Sequence, residues 1–370
     1  MAHVERRGAG RWRARYRDPT GRERSKTFER RADAERFLTT VEHSKLTGGY
    51  VDPSAGRVTF KGFTQRWLED QTFEETTREA VCSRLRVHLL PAFGDLELRS
   101  IRPSTVQGWL RGTQERCAPR SARVLLANLS AILGAAVEDE LIPRNPCSSR
   151  AVRAPAVDQA RVIPWPAEQV TSVIAAHPDR WRAAPLLAAG CGLRQGEVFG
   201  LRVQDVGFFG RRVLVRQQVR LLHGRPSVAP PKGRKAREVP LPEIVAVGLA
   251  EHLRVYDAVG GVVFTSRERK LVTRTYYNRH IWKPALVAAG IEPTRQNGMH
   301  ALRHFYASAL LEAGTSIRAV ADYLGHRDPG FTLRTYTHLM PSSEDRVRQA
   351  IGAALEAPAA SPRPGATSKA

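Results

Sequence analysis

The chain has 370 residues, 42% of them hydrophobic and 25% charged, enough apolar material for real cores and too long for one average domain. Lysine and arginine number 58 against 36 aspartate and glutamate, and the formal charge of +22 favours a polyanionic partner, nucleic acid first. The competing reading of that charge is a set of solvated surface arginines. Cys82, Cys117, Cys147 and Cys191 are widely separated, which argues against a disulfide framework or a zinc site. The charged start, Met1 to Tyr16, lacks the apolar core of a signal peptide, and the apolar patch around Ala183 to Leu193 is too short to span a bilayer. A soluble, cytoplasmic protein of a reducing compartment is expected, with no membrane partner.

In chain order, the first expected domain covers residues 1–55. Arg11-Trp12-Arg13-Ala14-Arg15-Tyr16-Arg17 alternates with a period of two, the pattern of a half-buried strand. Trp12, Ala14 and Tyr16 share one face, and Arg11, Arg13, Arg15 and Arg17 share the other. Asp18-Pro19-Thr20-Gly21 signals a turn, Arg22 to Phe28 a returning strand, and about 32–45 a helix closed by Gly48-Gly49. The arginine face is a candidate DNA contact, because a sheet face can lie against phosphates or in a groove.

The second expected domain, residues 58–145, shows helical spacing from Phe60 through Leu68 and again at about 76–89, 103–113 and 119–139. Leu90-Pro91-Ala92-Phe93-Gly94-Asp95 reads as a break between helices. No strand pattern appears, so an all-α bundle is expected, with Arg78, Arg84, Arg86, Arg120 and Arg123 as possible members of one basic surface. Residues 146–161 read as an exposed basic linker.

The third expected domain, residues 162–350, opens with helices from Pro166 to Ala176 and Trp181 to Ala189. Strand-like runs follow at Val213 to Val215 and Val219 to Leu221, then a turn at His223 to Pro226. Lys232-Gly233-Arg234-Lys235 forms another turn before Arg237-Glu238-Val239-Pro240-Leu241, and helix dominates afterwards. The tail, residues 351–370, is rich in Ala, Pro and Ser and is expected to be disordered.

Short motifs in this third domain carry the chemistry. Arg194 sits in Gly192-Leu193-Arg194-Gln195-Gly196-Glu197, where the glycines permit close backbone approach and Glu197 can hold the guanidinium. A lone pair of this kind is more often a surface ion pair. His300 and Arg303 are three apart and share a helix face. His300-x-x-x-His304 invites a metal reading, but no glutamate follows His300 as in helical zinc-protease motifs, and no metal or other cofactor is expected.

Together with Leu324-Gly325-His326 and a tyrosine ten residues beyond that histidine, Tyr336, these motifs resemble the catalytic domain of the tyrosine recombinase family, the phage-type integrases. Five elements in the right order over about 140 residues carry the resemblance. The front of the chain fits too, since such integrases often have a small arm-site-binding sheet domain and a helical, SAM-like core-binding domain. The fold so implied is multidomain: a three-stranded sheet plus helix, an all-α bundle, and a mainly α catalytic domain with a small β-sheet.

The resemblance implies a site-specific DNA recombinase that works through a 3′-phosphotyrosine link, integrating and also excising a phage or other mobile element. Tyrosine is a poor nucleophile at neutral pH because its hydroxyl has a pKa of about 10. By resemblance Tyr336 attacks, Arg194 and Arg303 grip the phosphate oxygens, and His300 assists proton transfer from Tyr336. His326 would hydrogen-bond the scissile phosphate, Glu197 would support Arg194, and Lys232 would protonate the leaving 5′ oxygen, with Lys235 its rival in the same turn. Tyr306 and Tyr323 are rivals of Tyr336, but neither has its spacing from Leu-Gly-His.

The implied partners are double-stranded attachment-site DNA, three further copies of the chain in a tetramer on DNA, and a small directionality factor that nothing here identifies. A helix from about Ser342 to Ala354 is expected to dock on a neighbouring subunit or on its own domain. A non-catalytic DNA-binding protein would be expected to have lost Tyr336, Arg194 or Arg303, and none is missing. A chromosome-dimer resolvase generally lacks the N-terminal module read at Trp12 to Phe37.

Overall fold

The computed structural model describes residues 2–8, 10–19, 21–46, 50, 55–157, 162–326, 328–336 and 351. The expected helix at Ser342 to Ala354, most of the expected tail and Gly48-Gly49 lie outside them. The chain divides into two compact units, Met1–Gln159 and Ala160–Ala370.

The first unit opens with an antiparallel sheet, β1 (His3–Arg7), β2 (Arg11–Arg17) and β3 (Glu23–Phe28), with β2 in the middle. Alternation on β2 buries Ala14 and Tyr16 against Ala34, Leu38 and Val41 of helix α1 (Arg31–Leu46). β1 carries a single aliphatic residue, Val4, so no alternation announces it; pairing with β2, His3 opposite Arg15, makes it a strand. At the β2–β3 turn the Asp18 carboxylate accepts the Arg22 backbone N–H (2.9 Å), and Gly21 takes the left-handed conformation, φ +84°.

A separate helical core follows, built by α2 (Phe60–Asp70), α3 (Glu75–Arg84), α4 (Leu90–Phe93), α5 (Pro103–Gln114) and α6 (Pro119–Glu138). Phe60, Phe93, Leu129 and Ile132 are fully enclosed there. Within the expected break at Leu90 to Asp95, Leu90–Phe93 continues the preceding helix and the chain turns at Gly94 and Asp95. Pro91 has no N–H to give, and its ring would strike the carbonyl four residues back. A π-turn over Leu85–Leu89 widens the helix just ahead of it, and the Leu90 N–H reaches the Leu85 carbonyl. Two of the five candidate surface arginines are used internally. The Arg78 guanidinium donates to the Leu68 and Gln71 carbonyls at the end of α2, and Arg84 donates to the Asn128 side chain (3.2 Å). The longest apolar helix is α6 rather than the 183–193 run; its buried face, Leu125 to Ala136, faces this core.

The second unit has α7 (Ala167–Ala175), α8 (Asp179–Cys191) and α9 (Gln195–Gly200), then two small sheets. β4 (Val206–Gly207), β5 (Arg212–Val215) and β8 (Arg237–Pro240) form one; β6 (Gln218–Leu222) and β7 (Arg225–Ala229) form a hairpin. The hairpin turns on His223 and Gly224, both at positive φ (+48° and +74°), the twist a two-residue turn needs. The register of β5 on β8, Val213 opposite Val239, puts Arg237 opposite Val215 and directs it inward with Val239 and Leu241. Helices α10 (Glu243–Val255), α11 (Arg274–Tyr277), α12 (Lys283–Ala288), α13 (His300–Glu312), α14 (Ile317–Leu324) and α15 (Pro329–Tyr336) complete the described part. α8, α9, α13, α14 and α15 share one core, into which Tyr306 and Tyr336 both pack.

Candidate active site

Helix α13 presents His300, Arg303 and His304 on one face, as three- and four-residue spacings require. Arg303 is 1% exposed, and hydrogen bonds from both of its Nη groups offset that burial. Nη1 donates to the Gly192 carbonyl (2.7 Å), and Nη2 donates to the Leu324 carbonyl and to His326 Nε2 (3.1 Å). One guanidinium thus ties the ends of α8 and α14 to α13. Gly192 closes α8 at φ +64°, and a Cβ there would lie 2.3 Å from the Tyr306 ring, so the position requires glycine.

Arg194 is the N-cap residue of α9, and Glu197 stands three residues on. Glu197 accepts the Arg194 backbone N–H (2.8 Å) and its Nη1 (2.9 Å), while Arg194 Nη2 donates to the Gly325 carbonyl (3.3 Å). A residue the sequence reading passed over completes this arrangement. Arg237 grips the same carboxylate with both ends of its fork, at 3.0 and 2.7 Å, and its Nε donates to the Tyr323 carbonyl (2.7 Å). The Glu197 side chain is fully enclosed. Burial pushes its pKa up, but the hydrogen bonds and charge of Arg237, with those of Arg194, outweigh burial and hold it at about 2. Glu197 is therefore a fixed anion between two guanidiniums.

His326, just after α14, is fixed at both nitrogens. Nε2 faces Arg303, which can only donate, so Nε2 is the acceptor and Nδ1–H donates to Thr332 Oγ1 of α15 (2.7 Å). Burial first, then the charges of Arg303 and Arg194, push its pKa down to about 3. Burial first, then the charge of Arg303, lowers the pKa of His304 to about 4; His300, which is exposed at the start of α13, shifts in the same direction. All three imidazoles are neutral at pH 7.

Tyr336 ends α15 and is 2% exposed. Its hydroxyl is hydrogen-bonded to His304 Nδ1 at 2.7 Å. No hydrogen bond joins it to His300, among the described residues. The ring of His300 instead lies edge-on to that of His304, centroids 4.6 Å apart. Burial raises the phenol pKa to about 12 against the opposing pull of Arg303. Thr337 and His338 lie outside the described residues.

The structure thus gathers Arg194, Glu197, His300, Arg303, His326 and Tyr336, and adds Arg237, His304 and Thr332. Arg194, Arg237 and Arg303 against the single carboxylate Glu197 leave two positive charges in excess, a setting suited to an anionic group. Lys232 and Lys235 are not brought into the group: both are exposed in the β7–β8 turn, where Gly233 and Arg234 have positive φ. The signal for Arg237 was present, an arginine on the inward phase of a strand whose next inward residues are Val239 and Leu241. In the sequence His304 stands out only as half of a metal-like pair with His300.

On the N-terminal sheet, Arg13 and Arg15 pair with Glu5 (3.7 and 3.5 Å), and Arg15 also with Glu23 (3.2 Å). Arg11 and Arg17 are exposed at the two ends of β2. The arginine face is therefore partly neutralised by its own sheet.

Comparison with known proteins bears on most of the chain. Residues 166–342 match the model of the phage integrase family, residues 3–48 that of the phage integrase N-terminal domain, and residues 60–151 that of the phage integrase central domain. A Mycobacterium tuberculosis protein named as a prophage phiRv2 integrase is 30% identical over 344 residues, 89% of either chain. The integrase of Mycobacterium phage L5 is 25% identical over 340 residues, 88% of this chain and 89% of that one. Among solved structures, the Tn1549 transposon integrase with circular intermediate DNA superposes with a TM-score of 0.68 at 18% identity, covering 80% of this chain and 99% of that one. A lambda integrase tetramer bound to a Holliday junction gives 0.59 at 19% identity, over 91% and 94%. These likenesses show the fold.

Proposed function

The chain belongs to the phage integrase family of tyrosine recombinases, and on that premise we propose that Tyr336 is the residue through which it breaks and rejoins DNA. Its reaction is site-specific recombination. The observation that carries the residue assignment is the convergence, from α9, α13, the end of α14 and α15, of two guanidiniums and a phenol in one hydrogen-bonded cluster.

In this reading the Tyr336 oxygen attacks the scissile phosphorus, the bond to the 5′ oxygen breaks, and a 3′-phosphotyrosine and a free 5′-hydroxyl result. Arg194 and Arg303 take the non-bridging oxygens as charge builds, a task for planar, permanently charged forks. His300 and His326 complete the hydrogen-bonding around the phosphate. Lys232 delivers a proton to the departing 5′ oxygen. Its exposed turn suits a group that closes on DNA, and Lys235 has the same freedom. The phosphotyrosine conserves the bond energy, so attack by a partner strand's 5′-hydroxyl rejoins DNA without a nucleotide cofactor.

The remaining assignments follow from this one. Residues 1–55 would bind arm-type sites through the sheet, residues 58–145 would bind the core site, and residues 162–350 would carry catalysis. Exchange between two duplexes takes four active sites, so the working assembly is a tetramer on DNA, as for the lambda protein on its junction. The element moved is a phage or other mobile element. Excision would draw on a small directionality factor, and the work would take place in the cytoplasm.

The test is an adduct assay on the DNA flanking the gene, with wild-type protein and Tyr336→Phe. Denatured wild type should remain attached to a DNA 3′ end, and the variant should bind the same DNA with no attachment. Attachment in both would move the nucleophile to another tyrosine, Tyr306 or Tyr323 first.

A further inference from the structure

A neutral imidazole has one N–H and one bare nitrogen, and His326 has both committed before DNA arrives. Nε2 accepts from Arg303 (3.1 Å) and Nδ1–H donates to the Thr332 hydroxyl (2.7 Å), so this form of the ring has no N–H to offer a phosphate. We infer that Thr332 is a positioning residue that lets His326 change roles. Its hydroxyl accepts from Nδ1–H in the free protein and donates to a bare Nδ1 once DNA is bound, which leaves Nε2–H for the scissile phosphate. The inference rests on the assignment of Arg303, His326 and Tyr336 to the reacting phosphate.

A hydroxyl suits this task because its one proton rotates while its oxygen keeps two lone pairs, so it serves either tautomer. A carbonyl in its place could only accept, and an ammonium could only donate. When a phosphate oxygen takes the Arg303 Nη2–H that faced the ring, Nε2 loses its donor. A proton then leaves Nδ1 for water and another is taken up from water at Nε2, so the ring stays neutral and protons balance. The Thr332 O–H turns to Nδ1, and the nitrogen turned away from the phosphate keeps a partner. Burial and the guanidiniums of Arg303, Arg194 and Arg237 oppose the alternative, an imidazolium with both nitrogens protonated.

The packing leaves the hydrogen bonds as the part of His326 that can change. Gly325 closes α14 at φ +63°, and the His326 N–H returns to the Ala321 carbonyl (2.9 Å), which fixes the backbone. The Phe331 ring stands edge-on to the imidazole, with centroids 5.0 Å apart. Thr332 itself is fully buried, so water does not compete for its hydroxyl. It lies one turn before Tyr336 on α15, and both side chains face inward. The helix that carries the nucleophile therefore also sets the histidine that meets the phosphate.

The deciding experiment compares Thr332→Val, which keeps the shape and loses the hydroxyl, with Thr332→Ser, which keeps the hydroxyl. Single-turnover adduct formation by the full chain is measured on saturating flanking DNA, beside DNA affinity. Valine should slow the adduct by about 10–100-fold at unchanged affinity, the usual consequence of one buried polar group left unpaired. Serine should recover most of that loss. ¹⁵N-histidine spectra add a readout that packing alone does not move. His326, identified by the signal missing from His326→Gln, should carry its proton on Nδ1 in the free chain. In Tyr336→Phe bound uncleaved to the same DNA, the proton should be on Nε2. Valine at the wild-type rate, serine as slow as valine, or an Nδ1 proton retained in the DNA complex would overturn the proposal. A wild-type chain that forms no adduct would instead sink the assignment of the reacting residues on which it rests. Should Thr332→Val not fold, the spectra of the free and DNA-bound chains decide, because they need no substitution at Thr332.

Discussion

Arg237 shows how one side chain can govern a site by holding its only carboxylate. Its guanidinium neutralises the buried Glu197, and Glu197 in turn aligns Arg194 through both its backbone N–H and its Nη1. Removing Arg237 would leave Glu197 half-compensated in the interior, a change that typically costs about 3–5 kcal/mol. Arg237→Ala is therefore expected to lower the thermal midpoint and to slow adduct formation. Arg237→Lys should restore part of the stability and little of the rate, because an ammonium cannot span two carboxylate oxygens and the Tyr323 carbonyl together. Equal recovery of both by lysine would show that charge alone matters there. The sequence made Arg194, Glu197 and Arg303 legible through spacings within single helical turns, and His326 and Tyr336 through the Leu-Gly-His motif and the ten residues between them. Arg237 lies 40 residues from Glu197, and His304 32 from Tyr336, so their meaning depends on which helix or strand lands beside which.

Elements were legible where one face is apolar and obscure where pairing or a special turn does the work. The alternation on β2 and the periodicity of α1, α5 and α6 give those elements nearly to the residue, whereas β1 exists by pairing with β2 and the π-turn before Pro91 is a local answer to one imino acid. The N-terminal sheet and α1 close their own core around Ala14, Tyr16, Ala34, Leu38 and Val41, sharing no buried residue with the helical core that starts at Phe60. Residues 1–55 hold 13 basic and 8 acidic residues, a net +5 of the chain's +22, so most of the positive charge lies elsewhere. Deleting residues 1–55 is thus expected to leave the rest folded and still able to cleave core-site DNA, while abolishing integration on a full attachment site. Adduct and integration assays run side by side on the truncated chain check this. Normal integration by the truncated protein would remove the arm-binding role.

At the scale of the whole molecule, neutral histidines make the chain sensitive to acid. His177 is 1% exposed in the core of the second unit; its Nδ1–H donates to the Val173 carbonyl (2.6 Å), and its Nε2 accepts the Tyr277 hydroxyl (3.0 Å). Burial leads in lowering its pKa to about 4, while the Val173 hydrogen bond opposes the change. An unfolded histidine titrates at about 6.5, so the unfolded chain takes up a proton that the folded chain refuses. The stability tied to this difference is complete above pH 6.5 and is lost progressively as pH falls through about 4, in total of order 3 kcal/mol for this one residue. His304 and His326, depressed to about 4 and 3, act in the same direction, and the exposed His300 adds less. Denaturant unfolding of the full chain should therefore give a nearly flat stability from pH 8 to 7 and a steep fall below about 6.5, with a slope of several protons. His177→Gln removes one titrating group from a site remote from DNA chemistry, so its curve should start lower and fall less steeply, by about one proton, roughly 1.4 kcal/mol per pH unit. A variant curve parallel to that of wild type would mean that His177 takes up its proton as readily in the folded protein as in the unfolded chain, and that the acid sensitivity belongs to the other histidines.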